Sequence, residues 1–298
     1  MPLFHIHGIM AGMLAPLSVG GSVVCAPGFD AFKFARWLDE LRPTYYTAVP
    51  TMHQMVIARA GEPRRGALRF VRSSSAALPR SVFDRLGDLF NVPVLEAYGM
   101  TEATHQMTCN PLPPASVKPG SVGLATGIEV GILDKENRLL PAGHRGEVVI
   151  KGPTVVDGYE DNPEANATAF VDGWFRTGDE GFLDDDGYLF LTGRLKEQIN
   201  RGGEKISPLE VEEVLLGHPV VVEAVVFAVP HDKLGEDVGA AVVLADGRDP
   251  DEQELRTYLG EQLAAFKVPR RISFVTEIPK GATGKVQRVG MADRLGHP

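Results

Sequence analysis

Residues 22–97 alternate short β-branched or aromatic runs with stretches of helical periodicity, and this alternation constrains the fold more than any other feature. Asp30 is placed to cap the first helical stretch and Pro43 to end it. Strands that alternate with helices of this length predict a largely parallel sheet covered by helices. Such sheets bind ligands at the carboxyl ends of their strands. The four runs predicted as strands are 22–25, 45–49, 68–71 and 92–95.

The pattern changes twice further along the chain. Residues 111–193 are rich in Gly, Pro and Asp turns between short strands, which predicts antiparallel structure, either a small barrel or a distorted sheet. After residue 196, Ser207 and Glu210 form a predicted capping box, strands follow at 221–229 and 238–244, and a helix lies near 251–265. We therefore expect an α/β large domain with a β-barrel-like subdomain at 1–195 and a small α+β domain at 196–298.

Charge and composition exclude several classes of protein. The chain has 30 Lys and Arg against 39 Asp and Glu, a net charge of −9, which argues against nucleic acid as the main partner. Its two cysteines, Cys25 and Cys109, have no metal-ligand spacing and fit a reducing compartment. No apolar run is long enough for a membrane span, and the first residues lack a signal-peptide pattern. We expect a cytoplasmic protein.

Four segments stand out for their order and spacing: Tyr98-Gly99-Met100-Thr101-Glu102, the run 174–179, Gly193-Arg194-Leu195-Lys196-Glu197 continuing to 206, and the run 279–285. Together they resemble the adenylate-forming superfamily, which contains acyl-CoA synthetases, peptide-synthetase adenylation domains and luciferases. The resemblance covers essentially the whole chain and implies an AMP-forming acyl-CoA synthetase that uses ATP, Mg²⁺ and coenzyme A.

The resemblance assigns nucleotide-binding roles in the first segment. Tyr98 offers a flat face for stacking on adenine, Thr101 can donate to a phosphate oxygen, and Glu102 is a hard oxygen ligand suited to Mg²⁺. Taken alone, such a tyrosine more often simply packs at a strand end, and a Thr-Glu pair is normally a helix start. The resemblance adds three further nucleotide-binding positions: Ser75, Ala76 and Gly99.

Asp179 and Arg194 are the residues that the resemblance places on the ribose. Asp179 can accept hydrogen bonds from both ribose hydroxyls, and Arg194 can donate from the other side. Without the resemblance, Asp179 would be interpreted as a turn residue and Arg194 as a solvated surface charge.

Four further sites follow from the resemblance. Lys285 lies on a mobile Gly-rich loop and bridges the carboxylate and the α-phosphate, where its charge opposes the negative charge that develops in the transition state. Lys196 is the hinge about which the small domain rotates, although a linker lysine is the alternative. Gly202 and Gly203 allow the pantetheine arm of coenzyme A to approach the backbone, unless they are only a turn. His5 matches the position that gates the thiol tunnel, and the alternative is a buried, hydrogen-bonded histidine.

The acid substrate is indicated by a closer resemblance to the oxalate–CoA ligases of plants and fungi, in residues 46–54, 96–114 and 200–208. A small dicarboxylate needs donors for its distal carboxylate, and His105 and Ser74 are the predicted substrate residues. A long-chain fatty acid would instead need an apolar tunnel. The alternatives that remain are a fatty-acid or other acyl-CoA synthetase, and an adenylating module that loads a carrier protein.

The family's Ser/Thr/Gly-rich loop that ends in Pro-Lys-Gly is absent from this sequence. In the family that loop wraps the β- and γ-phosphates of ATP. We therefore expect an amino-terminally truncated member that binds AMP weakly and shows no pyrophosphate exchange alone, since a flexible leaving group is badly placed for in-line attack. An inactive remnant is the third functional alternative.

Overall fold

The computed structural model describes residues 1–62, 65–245, 247–248, 250–281, 286 and 288–296, which form two compact units, Met1–Leu191 and Thr192–Pro298. A π-helical segment, His7–Leu14, precedes the first α-helix. The α-helices are α1 Ala15–Ser18, α2 Ala31–Leu41, α3 Pro50–Arg59, α4 Arg80–Phe90, α5 Pro163–Ala169, α6 Pro208–Gly217, α7 Glu252–Gly260 and α8 Met291–Arg294. The strands are β1 Tyr45–Ala48, β2 Phe70–Ser73, β3 Val94–Met100, β4 His105–Cys109, β5 Leu124–Ala125, β6 Glu129–Leu133, β7 Gly146–Lys151, β8 Phe170–Val171, β9 Trp174–Leu183, β10 Leu189–Arg194, β11 Ile199–Arg201, β12 Glu204–Ile206, β13 Val221–His231, β14 Gly235–Leu244 and β15 Arg271–Phe274.

The first sheet of the first unit has the order β1-β2-β3-β4-β5. β1, β2 and β3 are parallel, as predicted, and β4 and β5 add to them in antiparallel fashion. α2, α3 and α4 bury one apolar face each against this sheet, in a core that includes Leu38, Val71, Leu86 and Phe90. Asp30 caps α2 as expected, since its carboxylate accepts hydrogen bonds from the amides of residues 32 and 33. The predicted α/β fold class is confirmed.

The predicted strand at 22–25 is wrong. Residues 21–26 form no regular structure, and Val24 is 61% exposed. A β-branched run becomes a strand only where a neighbouring strand accepts its backbone hydrogen bonds, and none of the described residues pairs with this one.

The second sheet of the first unit is antiparallel. Its order is β10-β9-β7-β6, with β8 paired to β9, and the β7–β9 pairing contains a register shift between Glu147 and Val149. Ile132, Val148 and Phe175 lie at the centre of its core, which also includes Tyr98 from β3. This is the distorted antiparallel sheet predicted for residues 111–193.

The second unit is an α+β domain, as predicted. Its sheet has the order β12-β11-β14-β13, with β15 parallel to β14, and α6 and α7 pack on one apolar core. α6 begins at Pro208, but the predicted capping box is wrong: the Ser207 hydroxyl donates to the Thr192 carbonyl at 2.5 Å. Glu210 accepts instead from Lys267 at 2.6 Å. Ser207 and Glu210 therefore bind partners that are distant in the sequence instead of capping the start of α6.

No helix in the described ranges is long and apolar enough to cross a membrane.

Candidate active site

Three predicted site residues in the first unit meet around one buried histidine, His7. The Nδ1 atom of His7 lies 3.0 Å from the Ser75 hydroxyl, and its ring centroid lies 5.1 Å from that of His105, in an edge-on arrangement. Its backbone amide donates to Nδ1 of His5 at 3.2 Å. His5, Ser75 and His105 are thus brought together at the carboxyl ends of β2 and β3, where a parallel sheet binds its ligand.

Backbone geometry explains how the chain reaches this arrangement. Ser75 and His105 both have left-handed backbones, with φ of 75° and 82°. A Cβ atom on Gly99 would lie 1.5 Å from the carbonyl oxygen of His105, so only glycine lets β3 and β4 approach this closely. This steric requirement explains why residue 99 is a glycine. Binding of the nucleotide by Gly99 stays a prediction.

Ser74 and Ala76, the two predicted site residues on either side of Ser75, differ in exposure. Ser74 is 2% exposed and its amide donates to the carbonyl of Ala48 at 3.2 Å, which ties the loop to β1. Ala76 is exposed. Their roles toward the acid and the nucleotide stay predictions.

Sequence reasoning missed the polar side chains that surround His7. The Arg72 guanidinium, on β2, donates to the Thr47 hydroxyl at 3.2 Å and to the Gln106 side-chain oxygen at 3.0 Å. Nε2 of His7 lies 2.6 Å from the same Thr47 hydroxyl. One signal was present: strands of buried parallel sheets read as apolar runs, and an arginine between Val71 and Ser73 breaks that run.

The buried position of His7 keeps its ring neutral. Burial, followed by the charge of Arg72 and the neighbouring His105, lowers the pKa of His7 to about 2. Burial also lowers the pKa of His53, on α3, to about 4. In the unfolded chain both rings have pKa values near 6.5.

We expect acid to destabilise the first unit through His7. The folded-state pKa is depressed, so the stability that the neutral ring contributes is complete above pH 6.5 and is lost as the pH falls below it. His7→Asn should reduce the loss in free energy of unfolding between pH 7 and pH 5 by about 2 kcal/mol. Urea titrations at several pH values, followed by the fluorescence of Trp37 and Trp174, measure this slope.

His144 is the matched control for that prediction. It is exposed, and its ring contacts only the carbonyl of Ala142 among the described residues. His144→Asn should leave the pH slope unchanged. If His7→Asn kept the wild-type pH slope, that result would contradict the assignment of the acid sensitivity to His7.

Tyr98 and Asp179, predicted to bind adenine and ribose, contact each other although 81 positions separate them. The Tyr98 hydroxyl donates to the Asp179 carboxylate, and the Asp179 amide donates to the Thr177 hydroxyl at 3.1 Å. Tyr98 is 8% exposed and Asp179 is 5% exposed. The contact fixes the orientation of the carboxylate, while the stacking and ribose roles stay predictions.

Thr101 and Glu102 follow β3 in a single 3₁₀ turn. Glu102 accepts a hydrogen bond from the Tyr159 hydroxyl at 3.0 Å, and burial together with this carboxylate raises the pKa of Tyr159. Carboxylate oxygens are the ligands that a hard cation such as Mg²⁺ prefers, and the hydrogen bond from Tyr159 holds this side chain in place. The described residues contain no cluster of three or more His, Cys, Asp or Glu side chains placed to hold a metal, and the role of Glu102 as a Mg²⁺ ligand stays a prediction.

The second unit carries the remaining predicted residues. Arg194 and Lys196 are exposed near its start. Gly202 and Gly203, with φ of 62° and 100°, form the two-residue turn of the β11–β12 hairpin, which is the alternative that the sequence left open. Their contact with coenzyme A stays a prediction. Lys285 lies outside the described residues.

Comparison with known proteins places these features in a family. Residues 1–160 match the AMP-binding enzyme family, and residues 210–285 match the AMP-binding enzyme C-terminal domain. The chain is 50% identical to a probable CoA ligase, CCL9, of Humulus lupulus, over 99% of this chain. It is 48% identical to the oxalate–CoA ligase of Arabidopsis thaliana, over 97% of this chain. The chain spans 57% of the length of each of these two relatives.

A solved structure shows the same fold. The crystal structure of ATP-bound MatB from Rhodopseudomonas palustris superposes with a TM-score of 0.92 at 34% identity, covering 99% of this chain and 59% of that one. Sequence and fold agree, and the chain belongs to the AMP-binding enzyme family.

Proposed function

We propose that this chain acts in an ATP-dependent acid–CoA ligase that converts a small carboxylic acid, oxalate or one close to it, first into an acyl-adenylate and then into an acyl-CoA thioester. The observation that carries the proposal is the convergence of His5, Ser75 and His105 on buried His7 at the strand ends. The family membership supports the adenylate chemistry, and the 48% identity to an oxalate–CoA ligase supports the acid.

The reaction divides into two displacements. A carboxylate oxygen of the acid attacks the α-phosphorus of ATP and pyrophosphate leaves; the thiol of coenzyme A then attacks the carbonyl carbon and AMP leaves. Thr101 and Glu102 lie at the end of β3, where the hydroxyl donates to a phosphate oxygen and the carboxylate holds Mg²⁺. Mg²⁺ supplies charge neutralisation on the phosphates. Asp179, oriented by Tyr98, accepts hydrogen bonds from the ribose.

The pocket chemistry favours a small polar acid over a fatty acid. The surfaces around His7 are hydroxyl, imidazole, amide and guanidinium groups. An alkyl chain placed against them would find little apolar surface to bury, so it would gain little binding free energy. A cytoplasmic location belongs to the same proposal and is supported by two cysteines that are both free.

Two chimeras test the function. Each joins this chain to the unmatched remainder of a relative, the Arabidopsis oxalate–CoA ligase in one case and Rhodopseudomonas MatB in the other. We expect pyrophosphate exchange and oxalyl-CoA from both chimeras, with oxalate preferred over octanoate and palmitate, and no exchange from the 298-residue chain alone. A preference shared by both chimeras belongs to this chain. A preference for palmitate in both chimeras would reject a small polar acid as the substrate. Formation of the adenylate without a CoA thioester would favour a carrier-loading module.

A substitution at His105 tests the predicted acid pocket directly. His105→Ala should raise the KM for oxalate more than the KM for ATP, because its ring lies beside His7 in the predicted acid pocket. Equal changes in both constants would mean that the ring only supports the β3–β4 turn.

A further inference from the structure

Arg72 is a buried cation, and its hydrogen-bond partners among the described residues are all uncharged side chains. It is 5% exposed, and its guanidinium contacts Thr47, Gln106, His7 and the thiol of Cys109. None of the described Asp or Glu side chains forms an ion pair with it. These partners use part of the hydrogen-bonding capacity of the guanidinium without neutralising its charge.

The neighbouring titratable groups add no negative charge near neutral pH. His7 is neutral because its pKa is about 2, and burial raises the pKa of the Cys109 thiol above its usual range despite the lowering effect of Arg72. Burial lowers the pKa of Arg72, although an arginine remains charged at neutral pH. A buried charge without a counter-charge is costly, and a bound anion removes that cost.

The guanidinium borders the residues already assigned to the acid pocket. Arg72 immediately precedes the serine loop 73–75, and its partner Gln106 is adjacent to His105. His7 contacts Arg72, Ser75 and His105. Arg72 therefore contacts His7, and His7 contacts both Ser75 and His105 of the predicted pocket.

Reaction chemistry decides which kind of acid fits such a cation. The carboxylate that attacks the α-phosphorus loses its own charge as it becomes part of the mixed anhydride, so it cannot serve as the lasting counter-charge of a buried cation. A second acid group keeps its negative charge through both half-reactions and suits a planar, bidentate donor. A monocarboxylate of the same size would leave the guanidinium charge without a counter-charge.

We propose that Arg72 recognises the second, non-reacting acid group of a small dianionic acid and so selects dianions over isosteric monoanions. The inference rests on the proposed acid pocket but not on ligase activity, because it concerns binding.

Oxalate and oxamate provide the test, since they have nearly the same shape and oxamate replaces one carboxylate with a neutral amide. Calorimetric titrations on the 298-residue chain, and kcat/KM or competition measurements on the two chimeras, give an oxalate-to-oxamate preference. Arg72→Met should reduce that preference by about 10–100-fold, the range expected for one charge-assisted hydrogen bond. Arg72→Lys, which keeps the charge without the planar fork, should retain part of it.

Arg69 is the matched control: it precedes β2, is exposed, and Arg69→Met should leave the preference unchanged. A preference that depends on Arg72 in the chain or in the chimeras supports the proposal. Equal loss of oxalate and oxamate in Arg72→Met and Arg72→Lys, or no wild-type preference in any of these proteins, overturns it. A chimera that binds oxalate through Arg72 but makes no thioester would reject the ligase function alone.

Discussion

Arg288→Met should lower the free energy of unfolding of the second unit by about 3–5 kcal/mol, the usual cost of removing one partner from a buried ion pair. The Arg288 guanidinium binds both oxygens of Glu212 at 3.1 and 2.6 Å and one oxygen of Glu197 at 2.7 Å. Glu212 is 7% exposed and also accepts from the amide of Val226 at 2.8 Å. Without Arg288, this carboxylate stays buried and no cation among the described residues is paired with it.

The pH dependence distinguishes this cause from a packing defect. Burial raises the pKa of Glu212, and Arg288 opposes that rise, so the variant should raise it further. A raised folded-state pKa contributes stability at low pH that is lost as the pH rises through it. The deficit of Arg288→Met relative to wild type should therefore be larger at pH 8 than at pH 5.

Hydrogen exchange of the β13 and β14 amides measures the effect, because both tryptophans lie in the first unit. Lys267→Met is the control. Lys267 forms a half-exposed pair with Glu210 at 2.6 Å, and its loss should cost no more than about 1 kcal/mol. A deficit in Arg288→Met that is independent of pH would contradict the buried-charge explanation.

Lys285→Ala should slow adenylate formation by about 10²–10³-fold in the chimeras, the scale of losing one donor to a developing charge. The resemblance places this lysine between the attacking carboxylate and the α-phosphate, where two anions are forced together. Thioester formation from a supplied acyl-adenylate should change far less, because the phosphate is then a leaving group. Pyrophosphate exchange and single-turnover thioester formation measure the two half-reactions separately.

Lys280 is the control for Lys285. It lies at the start of the same loop and forms an ion pair with Glu223 at 2.7 Å. Lys280→Ala removes a lysine from the loop but leaves the predicted catalytic amine, so adenylation should change only a few-fold. Equal loss in both half-reactions for Lys285→Ala would show that Lys285 has a structural role.

Local sequence signals were enough to predict the elements whose partners are close in the chain. Asp30 caps α2, and the alternation of strands and helices from residue 45 to 100 produced the parallel β1–β3 sheet. These features depend on capping within one turn, on apolar periodicity and on short connections, so neighbouring residues determine them. The motifs from Tyr98 to Lys285 indicated the family because its chemistry needs those residue types in that order.

Only the tertiary structure decided where long-range partners lie. The run 22–25 has strand composition but no neighbouring strand in the described residues, and Ser207 donates to Thr192 rather than closing its own cap. Tyr98 meets Asp179, and Arg72 meets His7 across 65 positions. No periodicity encodes such contacts, because they arise when segments that are distant in the chain pack against one another. The buried arginine was visible as a charge in an apolar run, but its neutral surroundings, and the anion that they favour, required the fold.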